Sequence, residues 1–99
     1  MAQLTAADRL AKVKTALGLH SSDYQNETLS LYIDEVMEFM TDAGVQREVA
    51  ESGAAVGCIA IGVNDLWNYS SGGVRFSDYF KSRVVQLAYK RVNDNVQTD

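Results

Sequence analysis

The chain has 99 residues, of which 46% are apolar, and its formal net charge is −4 at pH 7. This length suits one small domain, and the apolar content excludes an intrinsically disordered chain. The negative charge argues against a protein that grips nucleic-acid phosphates over its whole surface, and no apolar stretch approaches the roughly 20 residues of a membrane span.

A short first helix is predicted over residues 6–17. Thr5 offers a capping hydroxyl, and Asp8 falls in the first turn, where a negative charge suits the helix dipole. Apolar residues then recur at helical spacing: Leu10, Val13, Ala16 and Leu17. Gly18 follows as a left-handed stop.

A longer second helix is predicted over residues 23–43, after a polar turn that offers several alternative caps. Its apolar stripe consists of Leu29, Tyr32, Ile33, Val36, Met37 and Met40. Gly44 ends the helix. Leu31 and Phe39 lie off the stripe, which indicates a second apolar edge covered by another element or another subunit.

The third predicted helix begins at Ser52 or Gly53, after a connector or short helical turn over residues 45–51. Its apolar stripe consists of Val56, Ile59, Ala60, Val63, Leu66 and Trp67. It also contains small residues that let a neighbouring backbone approach closely, and a helix this apolar is expected at the centre of the fold. A buried strand over residues 56–63 is the alternative, ranked second because no partner strand is evident.

The last predicted helix is capped by Ser77 and Asp78 and frays near Asn93, which leaves residues 93–99 as a polar tail. Its buried face consists of Phe76, Phe80, Val84, Leu87 and Ala88. A loop rich in serine and glycine precedes it, formed by Ser70, Ser71, Gly72 and Gly73. The predicted fold class is therefore all-α: residues 1–99 form one compact bundle of about four helices with short connections.

Charge is segregated along the chain. Residues 21–51 are strongly acidic, and Asp34, Glu38 and Asp42 stack at i, i+4 and i+8 on the second helix. Basic residues lie in the first helix, at Arg9, Lys12 and Lys14, and in the last, at Lys81, Arg83, Lys90 and Arg91. Two interpretations stay open: the acidic residues form a solvated face, or they meet a basic surface of the last helix, including that of a neighbouring subunit.

Catalytic and metal-binding motifs are not evident. His20 is the only histidine and lies in a polar turn, while Cys58, the only cysteine, falls in the apolar third helix as a small core residue. A lone cysteine fits a reducing compartment, and the metal spacings CxxC and HExxH do not occur. Gly72-Gly73 lacks the spacing of a phosphate-binding loop. The sequence predicts a protein without catalytic activity, metal or cofactor, located in the cytoplasm.

The order of elements resembles that of a known family. A short helix ends in Leu17-Gly18-Leu19, and a polar turn and a long acidic helix follow. The next helix reads Ala60-Ile61-Gly62-Val63-Asn64-Asp65-Leu66-Trp67-Asn68 and precedes the glycine loop. Over residues 4–92 this pattern resembles the head–tail connector proteins (adaptor or head-completion proteins) of long-tailed phages.

The resemblance implies a small helical virion protein, made in the host cytoplasm, that forms a homo-oligomeric ring of about twelve copies to match the portal. Such a ring lies at the head–tail junction, extends the DNA channel, and receives the next connector or tail protein. DNA would pass without sequence-specific binding. The residues expected at subunit contacts are Asp34, Glu38, Asp42, Lys81, Arg83, Lys90 and Arg91, and those of a docking loop are Ser70, Ser71, Gly72, Gly73 and Arg75.

Two other classes of function stay open at this stage. A small DNA-binding regulator would use the basic last helix, with Arg83, Lys90 and Arg91 as its phosphate contacts. A small enzyme or cofactor-binding protein would need a cleft that the sequence does not disclose.

Overall fold

The computed structural model describes residues 3–19, 25–68 and 76–90. These residues form five α-helices and one 3-10 turn, Gly53–Ala55, between the third and fourth. The helices are α1 (Ala6–Ala16), α2 (Asn26–Asp42), α3 (Arg47–Ala50), α4 (Val56–Asn68) and α5 (Asp78–Ala88). The described residues contain no β-strand beyond an isolated bridge between Gln3 and Ser52. The predicted all-α class is confirmed, and the alternative strand over residues 56–63 is wrong.

Helix α4 lies at the centre, and α1, α2 and α5 all pack against it. Its composition explains this position, because an α-helix with apolar residues on several sides must be covered on several sides. The residues that α4 buries are Cys58, Ile59, Ala60, Gly62, Val63, Asp65 and Leu66. Among the described helices, none is long and apolar enough to cross a bilayer.

Most helix ends lie where their local signals predict. The Thr5 hydroxyl oxygen accepts a hydrogen bond from the Asp8 amide at 3.0 Å, and α1 ends before Gly18, whose φ is +77°. Gly44, with a φ of +108°, follows the end of α2. Both φ values lie in the left-handed region that favours glycine, so these two helix ends are encoded locally.

The start of α2 differs from its prediction. The helix begins at Asn26 rather than near Asp23, and Gln25 precedes it without a side-chain capping bond. Several predicted features lie outside the described residues: the caps Ser21, Ser22 and Asp23, together with His20, the docking loop Ser70, Ser71, Gly72, Gly73 and Arg75, and Arg91 with the 93–99 tail.

The two off-stripe residues of α2 have different environments. The Phe39 ring packs against Phe76 and Phe80, with centroid separations of 4.8 and 5.6 Å, so α5 and the residue preceding its cap cover it. Leu31 has no such cover and remains 67% exposed. The second apolar edge of α2 is therefore only partly covered by the described chain.

Candidate protein–protein interface

One side of α2 forms an exposed, predominantly acidic surface, which we call the acidic face. Its members are Glu27, Leu31, Asp34, Glu35, Glu38 and Asp42, and all are exposed. They share one side because α2 turns its opposite side, with Leu29, Ile33, Val36 and Met40, into the core. Within the described residues, no lysine or arginine nitrogen lies within 4.0 Å of the carboxylates of the acidic face.

Part of the acidic face borders a groove of about 450 Å³ between α2 and α3. The lining residues are Arg9, Asp34, Met37, Glu38, Thr41, Asp42, Arg47, Ala50 and Glu51. Arg47 forms an ion pair with Glu51, in which Nη1 lies 3.5 Å from Oε2. The described residues hold no group of three or more histidine, cysteine, aspartate or glutamate side chains that could bind a metal ion.

Arg9 is a buried base among the residues that line this groove, with only 8% of its surface exposed. Its Nη2 atom donates hydrogen bonds to the carbonyl oxygens of Leu4, at 2.9 Å, and Glu51, at 3.1 Å. Lys14 is also buried, which leaves Lys12 as the exposed base of α1. The basic character of the first segment is therefore directed largely inwards, and Arg9 joins the N-terminal segment to the end of α3.

The basic residues predicted for α5 divide between two sides of the helix. Arg83 is half-buried and its Nη1 atom donates a hydrogen bond to Gln86 Oε1 at 2.8 Å. Together with Lys90 it lines a depression of about 300 Å³ beside Ala54. Lys81 is exposed and lies away from this depression. The described chain thus does not gather the predicted cations into one basic patch, nor does it pair them with the α2 carboxylates.

Lys81 instead begins an exposed line of side chains along α5 and its C-cap residue, which we call the Lys81–Tyr89 stripe: Lys81, Val85 and Tyr89. Val85 is 55% exposed and Tyr89 is 79% exposed, although both are large hydrophobic residues. Tyr79 is 63% exposed as well, but its register places it on a different side of the helix. Sequence reasoning missed this stripe, because it assigned the apolar residues of the last helix mainly to the core.

Cys58 is enclosed by the core of α4 and has 2% of its surface exposed. Burial raises the pKa of its thiol from 9.0 to about 11, and the positive charge of Arg83 opposes this only in part. Only the thiolate is a strong nucleophile, so Cys58 is protonated and unreactive near neutral pH. Its predicted place as a small core residue is confirmed.

Comparisons with known proteins do not place the chain in a family. No protein-family model, no curated protein and no solved structure matches it. The all-α fold and the two exposed surfaces, the acidic face and the Lys81–Tyr89 stripe, are therefore the basis for a functional proposal.

Proposed function

We propose that this chain is a non-catalytic assembly protein of the head–tail connector type, which forms a ring between the portal and the next connector or tail protein of a long-tailed phage. One observation carries the proposal: an exposed acidic face on α2 has no cationic partner among the described residues, while α5 exposes Lys81, which makes no ion pair or hydrogen bond with them. A head-to-tail ring needs two different, complementary surfaces on every subunit. The helical pattern over residues 4–92 supports the choice of family.

The excess of negative charge on the chain also suits a channel through which DNA moves. An acidic wall repels phosphates and lets DNA pass, for the same electrostatic reason that a basic wall retains it. In this proposal about twelve copies assemble at the head–tail junction of the virion, matching the symmetry of the portal. The proposed ring has no catalytic role and needs no cofactor.

Mass measurement tests this proposal directly. Light scattering over a concentration series, with the chain alone and with a portal ring, should give a large closed species or stoichiometric capture by the portal. A strict monomer that ignores the portal would contradict it. Salt-dependent binding to duplex DNA by that monomer would instead favour the regulator.

Charge reversal tests the part assigned to the acidic face. The triple variant Asp34→Lys, Glu38→Lys and Asp42→Lys should lose assembly while circular dichroism shows an unchanged helix content, because all three side chains are exposed. Glu48→Lys, an exposed reversal on α3, is the matched control and should assemble as the parent does. Unchanged assembly of the triple variant would mean that Asp34, Glu38 and Asp42 are merely solvated.

A further inference from the structure

Leu31 is an aliphatic side chain set among carboxylates. Glu27 lies one turn before it and Glu35 one turn after it, so the three follow one line on α2 at i, i+4 and i+8. Leu31 exposes 67% of its surface, and no other part of the described chain covers it. The acidic face therefore has an apolar centre with a negative charge on either side along the helix.

The Lys81–Tyr89 stripe has the same spacing, with hydrogen-bond donors at its two ends in place of carboxylates. Val85 forms its apolar centre, the Lys81 ammonium lies one turn before, and the Tyr89 hydroxyl lies one turn after. Eight residues of α-helix span about 12 Å, so the two lines are equal in length. Lys81 is exposed, and within the described residues its nitrogen makes no ion pair or hydrogen bond.

We propose that the Lys81–Tyr89 stripe of one copy docks on the line of Glu27, Leu31 and Glu35 of a second copy, with Val85 against Leu31. The Lys81 ammonium then meets one glutamate and the Tyr89 hydroxyl donates to the other. The two helices can pack parallel or antiparallel and still make these contacts, because Leu31 has a carboxylate one turn away on each side. This inference rests on the proposed function, since it names the partner surfaces of the ring.

The pairing joins different surfaces of the two copies. Each copy in such a contact keeps one surface free for the next copy, so the contact propagates and closes into a ring when the rotation allows. Apolar contact at the centre, with charged groups around it, is the usual anatomy of a specific interface. The remaining carboxylates of the acidic face, Asp34, Glu38 and Asp42, would lie at its rim and attract the Lys81 ammonium of the second copy during encounter.

Paired charge exchange on the full-length chain tests the contact. Lys81→Glu alone, and Glu27→Lys with Glu35→Lys alone, should each weaken self-association at least about tenfold in sedimentation equilibrium, a change of about 1.4 kcal/mol. All three substitutions in one chain should restore it, because the charges are exchanged across the contact. A merely structural effect of the substitutions would not be repaired by combining them.

The apolar centre is tested by Leu31→Ser and Val85→Ser, and the Tyr89 end of the stripe is tested by Tyr89→Ser. Each variant should also weaken self-association. Their matched control is Tyr79→Ser, an exposed aromatic of the same helix outside the stripe, which should assemble as the parent does. Circular dichroism verifies the fold of each variant, and all of the substituted side chains are exposed.

The outcomes separate this inference from the proposed function. Assembly that survives every stripe variant overturns the pairing and leaves the ring standing. A parent chain that stays monomeric but is captured by a portal, with capture lost in Leu31→Ser, overturns the pairing in favour of a portal contact. A parent chain that neither assembles nor is captured overturns both.

Discussion

Asp65 of α4 accepts two hydrogen bonds from Ser77, one from its amide nitrogen and one from its hydroxyl, both at 2.9 Å. The Ser77 hydroxyl oxygen in turn accepts a hydrogen bond from the Phe80 amide at 3.1 Å and caps α5. This chain of bonds joins the second half of α4 to the first turn of α5. It also explains why a carboxylate is buried in an otherwise apolar helix.

Asp65→Ala should therefore lower the free energy of unfolding by about 1–3 kcal/mol, because it leaves a partly buried amide without its acceptor. Ser77→Ala should lower it by about 1 kcal/mol through loss of the cap. The two losses should not add, since the residues are in direct contact. Urea unfolding followed at 222 nm measures all three variants. Asn64→Ala, an exposed neighbour, is the control, and an unchanged midpoint for Asp65→Ala would refute the role of the carboxylate.

Gly62 of α4 faces Val36 of α2 and Phe80 of α5. A Cβ atom there would lie 2.7 Å from Phe80 Cε1 and 2.9 Å from both Cγ atoms of Val36. Gly62→Ala should thus destabilise the chain by about 1–3 kcal/mol, although alanine is the better helix former. Gly57→Ala, in the same helix with no atom within 4 Å, should stabilise it by about 0.5–1 kcal/mol. Thermal unfolding compares the midpoints of the Gly62→Ala and Gly57→Ala variants with that of the parent chain. Equal changes in midpoint for both variants would contradict the packing argument.

Arg9 should stabilise the N-terminal segment rather than form part of an interface. Arg9→Met removes the hydrogen bonds to the Leu4 and Glu51 carbonyl oxygens and should cost about 1.5–3 kcal/mol. The Leu4 amide, which donates to the Glu51 oxygen at 3.0 Å, should then exchange its hydrogen faster in NMR experiments. Lys12→Met, an exposed change in the same helix, is the control. Arg9→Lys should not restore the protection of the Leu4 amide against exchange, because an ammonium lacks the planar array of donors of a guanidinium group.

Cys58 should make stability fall with pH in the alkaline range. Well below pH 9 the thiol is protonated in both states, so it contributes no pH dependence there. Between pH 9 and about 11 the unfolded chain loses this proton while the folded chain keeps it, and unfolding becomes more favourable. The free energy of unfolding, measured at a series of pH values from 8 to 11, should fall more steeply for the parent chain than for Cys58→Ala. This variant removes the thiol titration and leaves the other groups. Parallel curves would contradict the raised pKa.

The positions of the helices are largely readable from the sequence. The capping hydroxyls of Thr5 and Ser77 and the positive-φ glycines Gly18 and Gly44 mark ends that the structure confirms. The start of α2 was predicted too early, because several polar residues before it offered caps and the actual N-cap residue, Gln25, makes no side-chain capping bond. When several neighbouring residues could each cap a helix, the sequence does not decide at which of them the helix begins.

The environments of individual side chains were less predictable. Arg9, Lys14 and Asp65 carry charged groups, which in most proteins lie at the surface, yet all three are buried. For Arg9 and Asp65 the reason is a bonding partner distant in the chain, at Glu51 and Ser77 respectively. A buried charge is tolerated when such partners compensate the lost hydration, and their approach depends on how the helices pack.

Sequence by itself determined the all-α class, the apolar stripes and most helix ends, because periodicity, caps and glycine stops act over a few neighbouring residues. Only the tertiary structure decided which off-stripe residues are covered. Phe39 is partly buried against Phe76 and Phe80, while Leu31 on the same helix stays exposed among carboxylates. The difference arises because cover comes from a helix some forty residues further along the chain, and its position depends on the packing of the whole bundle.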